Sequence, residues 1–545
     1  MVVVDVVAVD KKGQPVTNLE ASDFSLLEDG HQQAISTFNF QCPGRQAAGV
    51  APAPREAGPL PPNMFRNSPK YQSSAALNVI LIDALNSTLP NQAYVRSEMV
   101  HFLEKLPQGQ PIAVYALGRK LRLLQDFTTD LTELKNVIDS FKGEKSHLIS
   151  KAAGAPDTPV VQGAAAQVLA STAPHMLTQI ESFTQEILAE QTGMRVQLTL
   201  SALNSLARTL AGYPGRKNLI WISESIPMMI VPGPRKISRG NRDFSDQLAI
   251  TANLLTDAQI AVYPIDARGL VASGFYDAAN NVSGQAAVGG AIARSEGALA
   301  EELFNAHSSM EDLAQKTGGK AYVNRNDVAG AVRNDIEDGG TYYSLGYYPD
   351  NKDWNGQFRK IQITSKRPGI KLRYRLGYFA VDRVEYMKRH PQQQDVELDL
   401  ALRPDSPEAT ALQFQATIAL PSSDNGNHLQ VNYAIDPRQI GFARGDDGLE
   451  HANVECAARV FTSRDLEKPV KNLGARMEAG LEPDVYNRIT RTFFPCHLTL
   501  DLAPGDYFLR LAVRDNATGR IGAVNGRVTV PSTPERAGAA ENPVH

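Results

Sequence analysis

Hydrophobic and polar positions follow two different periods along this chain. At the start the period is two: Val2, Val4, Val6 and Ala8 alternate with neighbours that face the other way, which predicts a strand. Lys11-Lys12-Gly13-Gln14-Pro15 predicts a turn, and Asp23 to Gly30 predicts a strand running into an Asp-Gly hairpin turn, with Gln33 to Phe40 as the return strand. This β unit, residues 1–42, is too short to hold a core alone and must pack on something else. Residues 43–76 carry seven prolines and few large apolar groups, the pattern of a linker.

From Leu77 the pattern changes. Leu77–Ile82, Ile112–Leu117, Asn218–Ile222 and Ala261–Ile265 are nearly continuous apolar runs, as expected of strands buried on both faces. Between them lie helical patterns: one carrying Val95, Met99, Phe102, Leu103 and Leu106 on one face, then Leu131–Phe141, Leu177–Glu190, Val196–Leu210, Phe244–Ala258, Met310–Lys316 and Val328–Ile336, with a further strand at Lys320–Val323. Residues 145–176 and 270–298, rich in small residues, read as a mobile insertion and a surface loop. Strands alternating with helices over residues 77–339 predict a doubly wound, mainly parallel α/β sheet.

The period of two returns at Thr341. Tyr342–Pro349, Phe358–Thr364 and Ile370–Tyr378 predict strands that complete the N-terminal β unit, so that residues 340–382 close a sandwich into which the α/β domain is inserted. Residues 390–530 predict a second β-sandwich, with strands at Val396–Ala401, Ala411–Leu420, Gln430–Ile435, Asn453–Thr462, Arg491–Leu502 and Asp506–Asp515. Residues 531–545 read as a disordered tail.

Composition narrows the function. The chain has 545 residues, 42% apolar and 21% charged, which excludes a wholly disordered protein. A formal charge of −4 gives no bulk attraction for nucleic acid. No run approaches the roughly 18 apolar residues of a membrane-spanning helix. Three cysteines are too few for a disulfide framework; Cys456 and Cys496 are either one bridge or two buried thiols. The opening residues lack a basic and apolar leader, so either the protein is cytosolic or this start lies downstream of a signal. The ten histidines show no metal spacing, and there is no His-Glu-x-x-His, Cys-x-x-Cys, Gly-x-Ser-x-Gly or phosphate loop. An enzyme is not expected.

Ligands of doubly wound sheets bind outside the carboxyl ends of the strands. There the sequence places Asp83-Ala84-Leu85-Asn86-Ser87-Thr88, Ser223-Glu224-Ser225 and Asp266-Ala267-Arg268, with Thr199 near the start of a helix. Carboxylates and hydroxyls of this kind suit a hard divalent cation. Other readings are a helix-capping role for Asp83, ion pairs for Glu224 and for Asp266 with Arg268, a solvated turn or anion site at Arg216-Lys217, and cross-strand packing or a sugar platform for Tyr342, Tyr343, Tyr347, Tyr348, Tyr374 and Tyr378.

These residues carry a resemblance. The α/β portion resembles a von Willebrand factor type A domain, whose metal-ion-dependent adhesion site uses Asp-x-Ser-x-Ser after the first strand, a later threonine, and an aspartate after the fourth strand. Asp83 and Ser87 fall on the first motif, with Leu85 in place of its first serine; Thr199 corresponds to the threonine, and Glu224 stands where the aspartate is usual. The resemblance implies a degenerate site in which Asp83, Ser87, Thr199 and Glu224 hold Mg²⁺ or another divalent ion, or no ion. Gly212–Trp221, Val262–Leu270, the Gly13–Gly30 pattern and the Tyr343–Tyr378 strands resemble the VWFA-related acidobacterial domain proteins over residues 2–380. Members of that subgroup usually carry an export signal, which implies a periplasmic, extracellular or cell-surface protein. The function implied is non-enzymatic protein–protein interaction or adhesion, in which a protein partner's carboxylate completes the ion's coordination. An intracellular scaffold or assembly factor with a vestigial site, and a metal-assisted hydrolase, are the alternatives.

Overall fold

A computed structural model describes residues 1–42, 60–69, 76–103, 109, 111–144, 146, 148, 171–225, 244–268, 288–325, 327–389, 391–422 and 428–531. They fall into two compact units, the first drawn from residues 1–50, 73–207 and 214–381, the second from 51–72, 208–213 and 382–545. Among the described residues no helix is long and apolar enough to cross a membrane. Most of the 43–76 and 145–176 segments, residues 270–287 and residues 532–545 lie outside the described residues.

In the first unit the chain opens with β1 (Val2–Val9), β2 (Phe24–Glu28), β3 (His31–Gln32) and β4 (Ile35–Gln41). After β5 (Met64–Arg66), which belongs to the second unit, come β6 (Leu77–Asp83), α1 (Leu89–Leu103), β7 (Ile112–Leu117), β8 (Leu121–Thr128), α2 (Leu131–Ser140), α3 (Pro174–Leu210), β9 (Lys217–Ser223), α4 (Ser245–Asp257), β10 (Ile260–Asp266), α5 (Val288–Thr317) and α6 (Val328–Gly340). The α/β sheet has the order β10-β9-β6-β7-β8, parallel except for β8 at the edge. Every residue of β6, β7, β9 and β10 is buried, because helices cover both faces. Ile80, Val114 and Ile220 from the sheet pack with Val95 and Met99 of α1, Ile138 of α2 and Ile336 of α6.

The unit ends in β11 (Tyr342–Tyr347), β12 (Asn355–Ser365), β13 (Lys371–Arg373) and β14 (Gly377–Val381). These pair with the opening strands in two sheets, β13-β1-β11-β4 and β14-β12-β2-β3. One apolar cluster, with Val4, Val6, Leu26, Tyr343, Leu345 and Ile363, lies between them. Asp29 and Gly30 both have positive φ, the backbone a two-residue Asp-Gly hairpin requires.

The second unit holds α7 (Arg383–Arg389), α8 (Pro391–Ala401), β15 (Ala409–Thr410), β16 (Phe414–Ala419), β17 (Leu429–Ile435), β18 (Ala443–Arg444), β19 (Glu450–Thr462), β20 (Lys471–Leu481), α9 (Pro483–Arg491), β21 (Phe494–Leu500), β22 (Gly505–Asp515) and β23 (Ile521–Val530). One sheet runs β15-β23-β22-β19-β18 with β20 on β19; the other runs β21-β17-β16-β5. Their inner faces share one core, and the disulfide Cys456–Cys496 joins β19 to β21 across it. Closing a loop across 40 residues restricts the unfolded chain by about 4 kcal/mol.

Several expectations are corrected. Leu177–Glu190 and Val196–Leu210 are one helix, α3, with no break at Gly193. Val396–Ala401 is helical within α8: Leu398 and Leu402 bury together at a spacing of four, which the short alternation of Val396, Leu398 and Leu400 conceals. Met64–Arg66, inside the segment read as a linker, is a strand whose Phe65 packs on the second core. Lys320–Val323 is reduced to a single bridge between Tyr322 and Ile265. The expected third strand, Ile370–Tyr378, is split between two sheets, and the return strand Gln33–Phe40 leaves β2 to pair with β11. The expected strand from Arg491 begins only at Phe494, since Pro483 starts a helix that ends at Arg491. β8, β20 and β23 have no counterpart among the strands the sequence predicts. Leu473, Ala475, Met477, Ala479 and Leu481 of β20 do carry a period of two.

Candidate functional site

The order β10-β9-β6-β7 reverses direction between β6 and β9, since the chain steps from β6 to β7 on one side and to β9 on the other. A crevice opens at such a reversal. Asp83 ends β6, Ser223 ends β9 beside it, and Asp266 ends β10 in register with Ser223. The carboxyl edge therefore carries two acids flanking a serine.

Asp83 is 1% exposed, and four donors fill its carboxylate. Oδ1 accepts the Asn86 backbone N–H at 2.9 Å. Oδ2 accepts Asn86 Nδ2 at 2.9 Å, Trp221 Nε1 at 3.0 Å and Ser223 Oγ at 2.8 Å. Burial pushes the Asp83 carboxyl above the usual carboxylate range, and the bonds from Asn86, Ser223 and Trp221 oppose that shift. The Asn86 amide also donates to Thr199 Oγ1 at 3.1 Å, so it lies between Asp83 and Thr199. One turn before Thr199 on α3, Arg195 donates from Nε to Asn86 Oδ1 at 3.0 Å and from Nη2 to Ser225 Oγ at 2.9 Å.

Ser87 and Glu224 meet on the other flank. Ser87 Oγ accepts the Glu224 N–H at 3.0 Å, and Glu224 Oε2 accepts the Thr88 N–H at 2.6 Å. Thr88 precedes the first residue of α1, so the Glu224 carboxylate caps that helix and meets its positive end. Asp266, buried, is held by Arg268 through Nε at 3.0 Å and Nη2 at 3.0 Å and by His307 Nε2 at 2.8 Å.

The structure thus brings Asp83, Ser87, Thr199 and Glu224 to one crevice, joined by hydrogen bonds. The set does not fit a divalent ion as arranged. The place between Asp83 and Thr199 is filled by an amide NH₂, a donor that repels a cation, and the Arg195 guanidinium adds a fixed positive charge. Among the described residues no group of three His, Cys, Asp or Glu side chains stands together as a metal set. The sequence reading missed Asn86 and Arg195. Asn86 sits at a spacer position of the motif, and Arg195 lies four residues before Thr199, the spacing that puts two side chains on one helix face.

The remaining candidates lie elsewhere. Arg216 and Lys217 are buried at the amino end of β9 and form no solvated turn. Arg216 donates to the Gly318 carbonyl at 2.8 Å and to Tyr263 OH at 3.1 Å, and its N–H donates to Tyr342 OH at 2.8 Å. Burial pushes Lys217 down to about 7, against the pull of Asp5. Tyr342, Tyr343, Tyr347 and Tyr378 are buried while Tyr348 is exposed and Tyr374 half-buried, so the six form no shared platform; Tyr347 and Tyr378 donate to the buried Glu28, at 2.6 and 3.0 Å.

No protein-family model and no curated protein matches the chain. Among solved structures, the chain is similar to an aerotolerance-related membrane protein from Bacteroides fragilis, at 12% identity over 48% of this chain and 98% of that one, with a TM-score of 0.25. A conserved hypothetical protein, BatB, from Bacteroides thetaiotaomicron is 14% identical over 48% and 97%, with a TM-score of 0.24. A von Willebrand factor type A protein from Catenulispora acidiphila is 10% identical over 69% and 81%, with a TM-score of 0.23.

Proposed function

We infer that this chain is a non-enzymatic interaction or adhesion protein whose type A-like domain presents a metal-independent crevice. One observation carries the reading: the Asn86 amide and the Arg195 guanidinium occupy the centre of the polar cluster at the β6/β9 reversal. In the adhesion mechanism that the sequence resemblance implies, a cation bridges Asp83-type ligands to a partner's carboxylate. Here a guanidinium supplies positive charge at the same crevice, and its bonds to Asn86 and Ser225 fix it in place. A non-enzymatic reading is supported by the surroundings of Ser223: its hydroxyl bonds to Asp83 Oδ2 and the Ser225 carbonyl, and no histidine or lysine is bonded to it among the described residues.

The α/β domain is read as an insertion in a β-sandwich, which the pairing of β1 with β11 and of β2 with β12 supports. Export is supported by the Cys456–Cys496 disulfide, since such bonds persist in oxidising compartments.

The test is thermal unfolding in EDTA and then in millimolar Mg²⁺, Mn²⁺ or Ca²⁺, beside turnover assays on generic esters and phosphoesters. The expected result is one melting temperature in all four conditions and no turnover. An ion-dependent rise lost in Asp83→Ala overturns the metal-independent reading. Turnover lost in Asp83→Ala overturns the non-enzymatic one.

A further inference from the structure

The second unit carries an open surface hollow of about 470 Å³ at one end of the sheet β21-β17-β16-β5. Its floor follows from the strand register. Arg66 lies opposite Gln415, Gln415 opposite Ala434, and Ala434 opposite Pro495, while Phe414, Ile435 and Phe494 point into the core. The outer row is therefore Arg66-Gln415-Ala434-Pro495, and the short Ala434 side chain leaves it hollow in the middle. The end of α9 and the half-exposed Phe493 form one rim, and the Asp436–Arg438 bend forms another.

The charge of the hollow is opposite to that of the whole chain. Arg66, Arg438 and Arg491 line it with a single carboxylate, Asp436. Arg438 forks onto Asp436 through Nε at 2.9 Å and Nη2 at 2.7 Å, so that pair is neutral. Arg66 donates to the neutral Gln415 amide, and Arg491 is exposed with no hydrogen bond or ion pair to any described residue. Among the described residues neither the Arg66 nor the Arg491 guanidinium has a counter-charge; both lie beside an exposed aromatic ring and the amides of Gln413 and Gln415.

We propose that this hollow binds a compact carboxylate on a polyhydroxylated body, a sugar acid. The guanidiniums of Arg66 and Arg491 take the carboxylate, the amides take hydroxyls, and the Phe493 ring takes the apolar face of the sugar. The volume falls in the range of small-ligand sites, roughly 300–1,000 Å³.

Titration calorimetry on the full chain tests this with D-galacturonate, neutral D-galactose and inorganic phosphate as probes. Arg491→Gln and Ala434→Leu are both on the outer face, and circular dichroism checks that each keeps the fold. The expected result is saturable galacturonate binding and none of galactose. Arg491→Gln weakens the binding roughly tenfold, as the loss of one charge-assisted bond does. Ala434→Leu, which fills the floor, abolishes it. No saturation with galacturonate, equal binding of galactose, or binding that survives both substitutions overturns the proposal. Binding of phosphate without galacturonate overturns the sugar-acid assignment.

Discussion

The two ends of the parallel sheet solve the same problem with opposite charges. At the carboxyl end a buried acid, Asp83, is held by neutral donors: an amide, an indole and a hydroxyl. At the amino end a buried base, Arg216, is held by neutral acceptors: a carbonyl, a phenol and the Asn218 amide oxygen. Among the described residues neither group has a salt-bridge partner, so each depends on dipoles already fixed by the fold. The ends differ in access. Arg195, Glu224 and Ser225 at the carboxyl end are only half buried, whereas Arg216, Lys217, Asn218 and Tyr342 at the amino end are buried. The open end suits recognition, and the closed end suits anchoring the α/β sheet to the strands around it.

Substitutions at the two ends test this contrast. Asp83→Ala removes the acceptor of three buried side-chain donors and should lower the unfolding free energy by about 3 kcal/mol or more, read by urea denaturation. Arg216→Met takes a donor from the Gly318 carbonyl and leaves the Tyr263 hydroxyl to Arg373 Nη2 at 3.5 Å, but also removes a buried charge, so about 2 kcal/mol is expected. If Arg216→Met costs as much as Asp83→Ala, the two ends are equivalent and the contrast fails.

Lys217 sharpens the comparison through pH. Its folded-state value, about 7, lies below the unfolded 10.5, so the unfolded chain holds more protons between those values. Stability from this group should rise with pH from about 7 to 10.5, by up to about 1.4 kcal/mol per pH unit, and its cost is largest below pH 7. Lys217→Met should be more stable than the parent at neutral pH, with the difference shrinking as pH rises; a difference that does not change with pH would sink this account. The smallest effect is expected at the open end. Arg195→Ala removes the fixed cation, and its melting temperature should rise slightly in millimolar Mg²⁺, where the parent's does not.

The sequence exposes some of this more readily than the rest. The four buried parallel strands announce themselves as unbroken apolar runs, and the Asp-Gly turn gives away its hairpin, because both signals are local. The edge strand β8 carries a mixed face, Leu121-Arg122-Leu123-Leu124, that fits no single period. Asp83 and Ser87 are recognisable by spacing. That Asp83's partner is Asn86 rather than an ion depends on Thr199 and Arg195 arriving from α3, a contact across more than a hundred residues that no local pattern records. The cationic hollow of the second unit is likewise a product of register, since Arg66 and Gln415 become neighbours only through β5.

That strand has a further consequence. Met64–Arg66 reaches β16 from far upstream, so the second unit completes its sheet with a piece donated by another part of the chain. A fragment starting at Asp382 would lack it and leave the Phe414–Ala419 edge with bare amides and carbonyls. Such an edge recruits any extended strand it meets. Trimmed to its contiguous sequence, this unit should self-associate through that bare edge, a liability the intact chain covers with a strand of its own.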